Sequence, residues 1–380
     1  MAEFLKRSWA EIRLGAIQHN YRAVRARLAD GCRMMAVVKA DGYGHGDVQT
    51  ATVLQQAGVE WFGVSNLEEA IHLREGGISR PILILSYTPP EEAARLAQFS
   101  ITQSVISGEY AIRLNEAAAA AGVTVEAHIK LDTGMSRVGF FYHDEQTDRA
   151  VIDDIAQSCA LPHLSVSGIF THFSCADEEE GEPVTRRQFA LFGDAVSRLE
   201  TRGVTFALKH CCNSAATLRF PDMHLDMVRP GIILYGLAPS PFLQGEAPLT
   251  PAMTLKTVVS QVKSVPGGAS VSYGRTYTAE RETLTATVPI GYADGYPRTL
   301  SNTAQMLING RRAPLIGRIC MDQCVLDVTG IPNVAEGIPV TVFGESDGAV
   351  LSANEVAAQA GTINYEIVCC IGKRVPRVFC

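Results

Sequence analysis

Between residues 34 and 229, eight short apolar runs alternate with helix-patterned stretches. The runs are Met34–Lys39, Trp61–Ser65, Ile82–Ser86, Thr102–Ile106, Val125–Asp132, Val166–Phe173, Phe206–Asn213 and His224–Arg229. Helix-like segments lie between most of them: Val48–Ala57, Leu67–Glu75, Glu91–Gln98, Glu109–Ala121 with its alanine run, Gln146–Cys159 and Arg186–Thr201. A parallel strand covered by helices on both faces reads as a continuous apolar run. Eight of them alternating with helices over about 210 residues predict a (β/α)8 barrel. The competing doubly wound open sheet needs a GxGxxG turn after its first strand, and DGYGHG (41–46) lacks that spacing.

Before the barrel, Ser8–Leu14 alternates as a short strand, and Leu14–Leu28 places Ile17, Tyr21, Val24 and Leu28 at helical spacing. After Pro239 the character changes. SPFLQGEAPLTPAM (240–253) reads as a crossing loop, followed by short runs at Thr254–Val265, Leu284–Ile290, Met306–Ile308, Ala313–Ile319, Cys324–Val328 and Val340–Phe343. Turn residues separate these runs, so this part is all-β, broken by one late helix at Ala353–Ala360. The expected organisation is an N-terminal strand (1–13) joining the β domain, a barrel (14–240) carrying the chemistry, and a mainly β domain (241–380).

A barrel of this kind keeps its active site at the C-terminal ends of its strands. The first run ends in Lys39, followed by a loop with Gly42, Gly44 and Gly46 that reads as flexible. The fifth ends in Lys130 and Asp132 with Arg137 beyond, and the sixth in His172. The seventh ends in Asn213–Ser214 and the eighth in Arg229–Pro230–Gly231. A lone strand-end lysine is ordinarily solvated, since this residue is rarely buried. The alternative is an amine activated in a partly desolvated pocket. Ser214 opens a helix and Gly231–Ile232 follows the last strand, places where backbone N–H groups bind phosphate. Ser214 can equally be a plain helix cap. A phosphate site opposite a strand-end lysine is what pyridoxal 5'-phosphate requires. Arg229 would face the cofactor's ring nitrogen as a donor that does not give up its proton, or else pair with Asp226. In the β part, VSYGRTY (271–277) sets Tyr273 in a loop, where a second subunit could use it.

Composition removes other classes. The net charge of −7, with no basic run, argues against a nucleic-acid surface. No apolar run approaches ~18 residues, so no membrane span is expected. Ten cysteines without a small secreted framework fit a reducing compartment, and MAEFLKRSWAEIRL has charges where a signal peptide needs apolar residues. The expectation is a cytoplasmic protein without a metal centre.

AVVKADGYGHG (36–46), KLDTGMSRVG (130–139), THFSCAD (171–177), NSAA (213–216), VRPGIILYG (228–236), SYGRTY (272–277), GYADGYPR (291–298), CMDQ (320–323) and NYE (364–366) together resemble the bacterial alanine racemases, nearly end to end and in order. The resemblance implies pyridoxal 5'-phosphate held by Lys39, and a homodimer sharing its active sites. It makes Lys39 one base and Tyr273 of the partner subunit the other, because racemisation needs proton transfer at both faces of a planar carbon. It implies that Tyr43, Ser214, Gly231, Ile232 and Tyr365 hold the phosphate, that Asn213 also belongs to the cofactor site, and that His172 links Arg229 to Tyr273. Arg137, Met321 and Asp322 would bind substrate, and Asp177, Tyr292, Arg298 and Arg318 would line the entrance. Lys130 is expected to be carbamylated and to orient Arg137, the alternative being an unmodified lysine paired to Asp132 or a neighbour. Tyr365 limits side-chain room and so favours alanine over serine. A related decarboxylase would want a carboxylate at the ring nitrogen, and a non-catalytic carrier would not need the β domain. Arg229 and Tyr273 speak against them.

Overall fold

The computed structural model describes residues 6–144, 146 and 148–380. It divides into two compact units: Ile17–Gly42 with Asp47–Leu249, and Thr250–Cys380 with Tyr43–Gly46 and the N-terminal segment through Ala16.

In the first unit all eight expected runs form strands of one parallel sheet. Their order is Met227–Val228, Arg33–Val37, Trp61–Val64, Ile82–Ile84, Ile101–Val105, Val125–Asp132, Leu164–Phe170 and Leu208–His210. The two ends of this order meet: the Asp226 N–H donates to Lys209 O at 3.2 Å and the Arg229 N–H to Cys212 O at 2.9 Å, closing the barrel. A short extra strand, Phe140–Phe141, runs parallel to Val125–Asp132. Met35, Leu83, Phe170, Leu208 and Met227 pack together inside. Each such side chain contributes ~1.5–3 kcal/mol by leaving water.

The helices form where local chemistry and burial agree. The alanine-rich Gly108–Ala120 has high intrinsic propensity, and the Ser107 hydroxyl caps it by accepting from the Tyr110 N–H. Asn66 does the same for Leu67–Glu75. The helix expected from Gln146 begins at Arg149 and ends at Cys159; residue 147 lies outside the described residues.

The second unit is built on a ten-stranded sheet. Its path runs Gln261–Val265, Thr283–Val288, Cys324–Asp327, Arg311–Ile316, Gln305–Ile308, Pro339–Ser346, Met253–Val258, Ser8–Ile12, Arg377–Phe379, with Ala349–Leu351 paired to Pro339–Ser346. Two sequence expectations are corrected here. Thr254–Val265 is two strands that pair with different neighbours, because at Val259–Ser260 the backbone turns to Ile338 O and Thr287 O. A period-2 pattern carries no mark of such a change of partner. And Ala353–Ala360 is followed by a second helix, Asn364–Cys369, whose β-branched composition masks a turn held by Asn364 on Asn354.

Candidate active site

Lys39 stands two residues beyond the first barrel strand and is half-buried. The segment after it is not the flexible loop that its glycines suggest. Ala40, Asp41, Gly42 and Tyr43 all take left-handed backbone angles, with φ of 53–59°. Such a turn costs a non-glycine residue ~1–2 kcal/mol. It persists because its surroundings hold it: the Ala40 N–H donates to Glu69 Oε1 at 2.8 Å, the Gly42 N–H to Val38 O at 2.9 Å and the Asp47 N–H to Asp41 Oδ1 at 3.1 Å. Strain of this kind gathers at functional sites. A Cβ on Gly44 would lie 2.1 Å from Val368 O, so that glycine is required by close approach.

Arg229 is the hub of the barrel's polar residues and is only 3% exposed. Its Nη2 donates to Thr171 O at 2.7 Å and Cys211 O at 3.1 Å, and lies 3.4 Å from His172 Nδ1. Its Nη1 donates to His210 Nδ1 at 2.9 Å. It does not pair with Asp226, whose carboxylate accepts the Lys209 N–H at 2.8 Å instead. Among the described residues, the Nε–H and one Nη1–H of Arg229 meet no acceptor. Burial draws the guanidinium down to about 10, which leaves it charged at neutral pH. Burial first, and Arg229 second, hold His172 and His210 well below the usual histidine range, so both are neutral. The ring of Phe170 lies 5.3 Å from the Arg229 guanidinium and stacks on His210.

Lys130 is buried, with Nζ donating to Leu131 O at 3.0 Å and 5.3 Å from the Phe170 ring. Burial, with Arg229 next, pulls its amine down to about 7. The Lys130–Asp132 ion pair that the sequence allows is not formed. Asp132 instead accepts the N–H groups of Gly134, Ser136 and Arg137, each at 3.0 Å. Burial works against its ionised form, but those three donors outweigh it and keep the carboxyl below its ordinary range. Arg137, exposed, is carried on the loop so fixed.

At the last two strands the helix cap falls to Asn213, whose side chain accepts the Ala216 N–H at 3.0 Å. That releases the buried Ser214 hydroxyl, which accepts the Gly231 N–H at 2.8 Å. Ile232 begins a 3-10 turn, so its N–H has no acceptor within that turn. Asp177 is half-buried, and its carbonyl accepts from Ser240 Oγ at 2.7 Å.

In the β unit, Tyr43 and Tyr365 approach each other with ring centroids 6.1 Å apart. Tyr273 is 69% exposed, in a turn where Ser272, Gly274 and Arg275 have positive φ. Ser272 Oγ donates to Arg318 O, and a Cβ on Gly274 would lie 2.9 Å from Arg318 Nη1, so Arg318 packs against this turn. Tyr292 and Met321 are also exposed and are joined through their backbones: the Tyr292 N–H donates to Cys320 O and the Ala293 N–H to Met321 O. Asp294, fully buried, ties this loop down through Arg7, Arg374 and the Gly291 N–H. Asp322 binds Arg374 at 2.6 Å, while Arg298 is exposed. Sequence reasoning named Thr171 at the end of the sixth run without giving it a role, and missed His210, His128 and Asp294. His210 sits inside the seventh run as one more strand residue, and Asp294 inside GYADGYPR without a role of its own.

The models of the alanine racemase N-terminal and C-terminal domains match residues 12–239 and 252–379. The chain is 46% identical over 379 residues to an alanine racemase of Desulfovibrio desulfuricans, covering 100% of both chains, and 46% identical over 372 residues to that of Desulforamulus reducens, covering 98% of both. Among solved structures it is similar to the alanine racemase of Bacillus anthracis with bound L-Ala-P, at TM-score 0.93 and 36% identity, over 100% of this chain and 96% of that one. It is equally similar to the alanine racemase of Clostridium difficile 630, at TM-score 0.93 and 37% identity, over 100% and 97%.

Proposed function

The chain belongs to the alanine racemase family and is an enzyme of that activity, and from this premise we propose that it interconverts L- and D-alanine with pyridoxal 5'-phosphate and two bases. When bound, that cofactor withdraws electrons from the substrate's Cα and so makes its proton labile. The observation that carries the reading is Arg229. A buried guanidinium without a carboxylate, keeping two N–H groups unsatisfied, calls for an acceptor such as a neutral ring nitrogen. The buried Ser214 hydroxyl and the unsatisfied Ile232 N–H suit an anion in the same way. We assign the phosphate end to these two with Tyr43, Gly231 and Tyr365, and place Asn213 beside them in the cofactor site.

The remaining steps belong to the chain's own side chains. Lys39 Nζ holds the cofactor's aldehyde and exchanges a proton with Cα on one face. Tyr273 of the partner subunit serves the other face through its phenol oxygen, and its exposure leaves it available to a second copy. His172, with Nδ1 3.4 Å from Arg229 Nη2, links that guanidinium to the phenol and helps set its proton affinity. Arg137 receives the substrate carboxylate together with Met321 and Asp322, while Asp177, Tyr292, Arg298 and Arg318 restrict the entrance. Tyr365 limits the space beside Cβ, which favours alanine over serine. D-Alanine made this way would serve peptidoglycan, in the cytoplasm. No described helix is long and apolar enough to cross a membrane.

Purified enzyme should be yellow and should convert L-alanine into D-alanine, followed by chiral chromatography, without release of carbon dioxide. Yellow protein that forms no D-isomer would end this reading.

Lys130 offers a second, independent check. We assign it a carbamate: its ammonium first gives up a proton, the neutral amine attacks carbon dioxide, an N–C bond forms as one C=O π bond breaks, and a second proton leaves the nitrogen, so that a cation becomes an anion able to orient Arg137. Because its pKa lies near 7, the reactive neutral form grows as pH rises through that value. The unmodified amine also makes folding pH-dependent. Its folded pKa is below the unfolded one, so the penalty is full below about pH 7 and fades as pH rises toward the ordinary lysine value. With 13C-bicarbonate, wild type should show a carbamate carbon resonance that Lys130→Ala lacks. A wild-type spectrum without it at pH 8 removes the modification from the mechanism.

A further inference from the structure

Two buried histidines behind Arg229 take no part in the mechanism above. His128, on the strand Val125–Asp132, and His210, at the end of Leu208–His210, are both fully buried. His128 Nδ1 lies 3.1 Å from His210 Nε2, and His210 Nδ1 lies 2.9 Å from Arg229 Nη1. His128 Nε2 is buried and has no hydrogen-bond partner among the described residues.

The direction of this chain is forced. A guanidinium can only donate, so His210 Nδ1 must accept. A neutral imidazole carries one hydrogen, which therefore sits on His210 Nε2 and donates to His128 Nδ1. The hydrogen of His128 is then on Nε2, the atom left without a partner. Both rings stay neutral, since burial draws His128 down to about 3 and His210 well below its ordinary value. The unpaired end is a feature that folding maintains at some expense, since an unmet buried donor is unfavourable.

The packing holds the rings in this pose. Gly168 faces His128 across the neighbouring strand, and a Cβ there would lie 2.6–2.7 Å from three atoms of the ring. Trp61 closes another side with its ring centroid at 5.3 Å, and Phe170 stacks on His210 at 4.9 Å. No other residue could stand at 168 without moving the imidazole.

We propose that His128 and His210 are positioning residues that form a one-way hydrogen-bond chain from Arg229 into the barrel core, fixing the guanidinium so that its Nε–H faces the cofactor's ring nitrogen. This deepens the assignment of Arg229 and rests on it. The chain ties Arg229 to the two strands that carry His210 and His128.

Nitrogen NMR of the 15N-histidine-labelled protein, freed of cofactor, tests the chain itself. Both rings are expected to be neutral and protonated at Nε2; an imidazolium at pH 7, or His128 protonated at Nδ1, overturns it. Kinetics test the positioning role. His128→Leu keeps much of the volume and removes the acceptor, and should lower kcat ~10-fold with KM for alanine within ~2-fold. His128→Asn returns an acceptor oxygen near Nδ1 and should recover most of the rate. Wild-type kcat in the leucine variant, or equal losses in both variants, overturns the proposal; should the leucine variant not fold, loss of kcat in His128→Asn does so alone. The underlying assignment is judged separately. Arg229→Lys with cofactor bound should shift the visible absorption band, and an unmoved band removes the contact between Arg229 and the ring nitrogen whatever the histidines do.

Discussion

Lys39→Ala is expected to abolish racemisation and the yellow colour together. Two functions are removed at once. The amine that holds the cofactor's aldehyde is lost, and so is the base on one face of Cα. A positioned acid–base group alone accounts for about 10²–10⁴ in rate, and loss of the covalent anchor adds to this, so kcat/KM should fall by more than about 10⁴-fold. The fold should survive, because Lys39 is half-buried at a strand end, outside the packed barrel interior. Absorbance of the purified variant, its melting temperature and chiral analysis of alanine read these effects in parallel. A variant that keeps its colour and a tenth of its activity would show that another lysine does the work.

Tyr273→Phe is expected to lower kcat/KM about 10²–10⁴-fold while leaving cofactor binding intact. Only the phenol oxygen is removed, from an exposed side chain, so folding should be unaffected. The steady-state loss cannot differ between the two directions. Enantiomers have equal free energy, so the equilibrium constant is one and both kcat/KM values must fall alike. The two-base assignment is tested by exchange of the Cα proton with deuterated solvent. With Lys39 still present, the enantiomer it serves should exchange with retention of configuration while exchange from the other falls with racemisation. Equal loss of exchange from both enantiomers would count against separate bases on the two faces.

Much of this enzyme is legible in its amino-acid sequence. Lys39 at a strand end, the polar rim after runs five to eight, and Tyr273 in a glycine turn all follow from local pattern and from a barrel's rule for placing its active site. Several alternatives stay open at that level because each depends on a neighbour distant in sequence. Arg229 beside Asp226 reads as a strand-end pair, yet Asp226 serves the Lys209 N–H and Arg229 turns to His210. Ser214 reads as a cap, yet Asn213 takes that position and leaves Ser214 to Gly231. Lys130 reads as the partner of Asp132, yet Asp132 is consumed by the turn that carries Arg137.

The boundary between the two kinds of information is physical. Burial patterning along the chain determined the eight strands, the barrel and the residues at its rim, because hydrophobic periodicity is a local property that the backbone reads directly. The left-handed turn after Lys39 is different. Ala40 and Tyr43 have no preference for positive φ, and Glu69, distant in sequence, holds Ala40 there through its N–H. The same holds for the chain from Arg229 through His210 to His128. Its members stand 19 and 82 residues apart, and they meet because the barrel closes strand upon strand. Local pattern placed a lysine at the mouth of a strand. The tertiary structure alone decided what lies behind the arginine it works with, since contacts across a closed sheet are made by the fold and leave no period in the sequence.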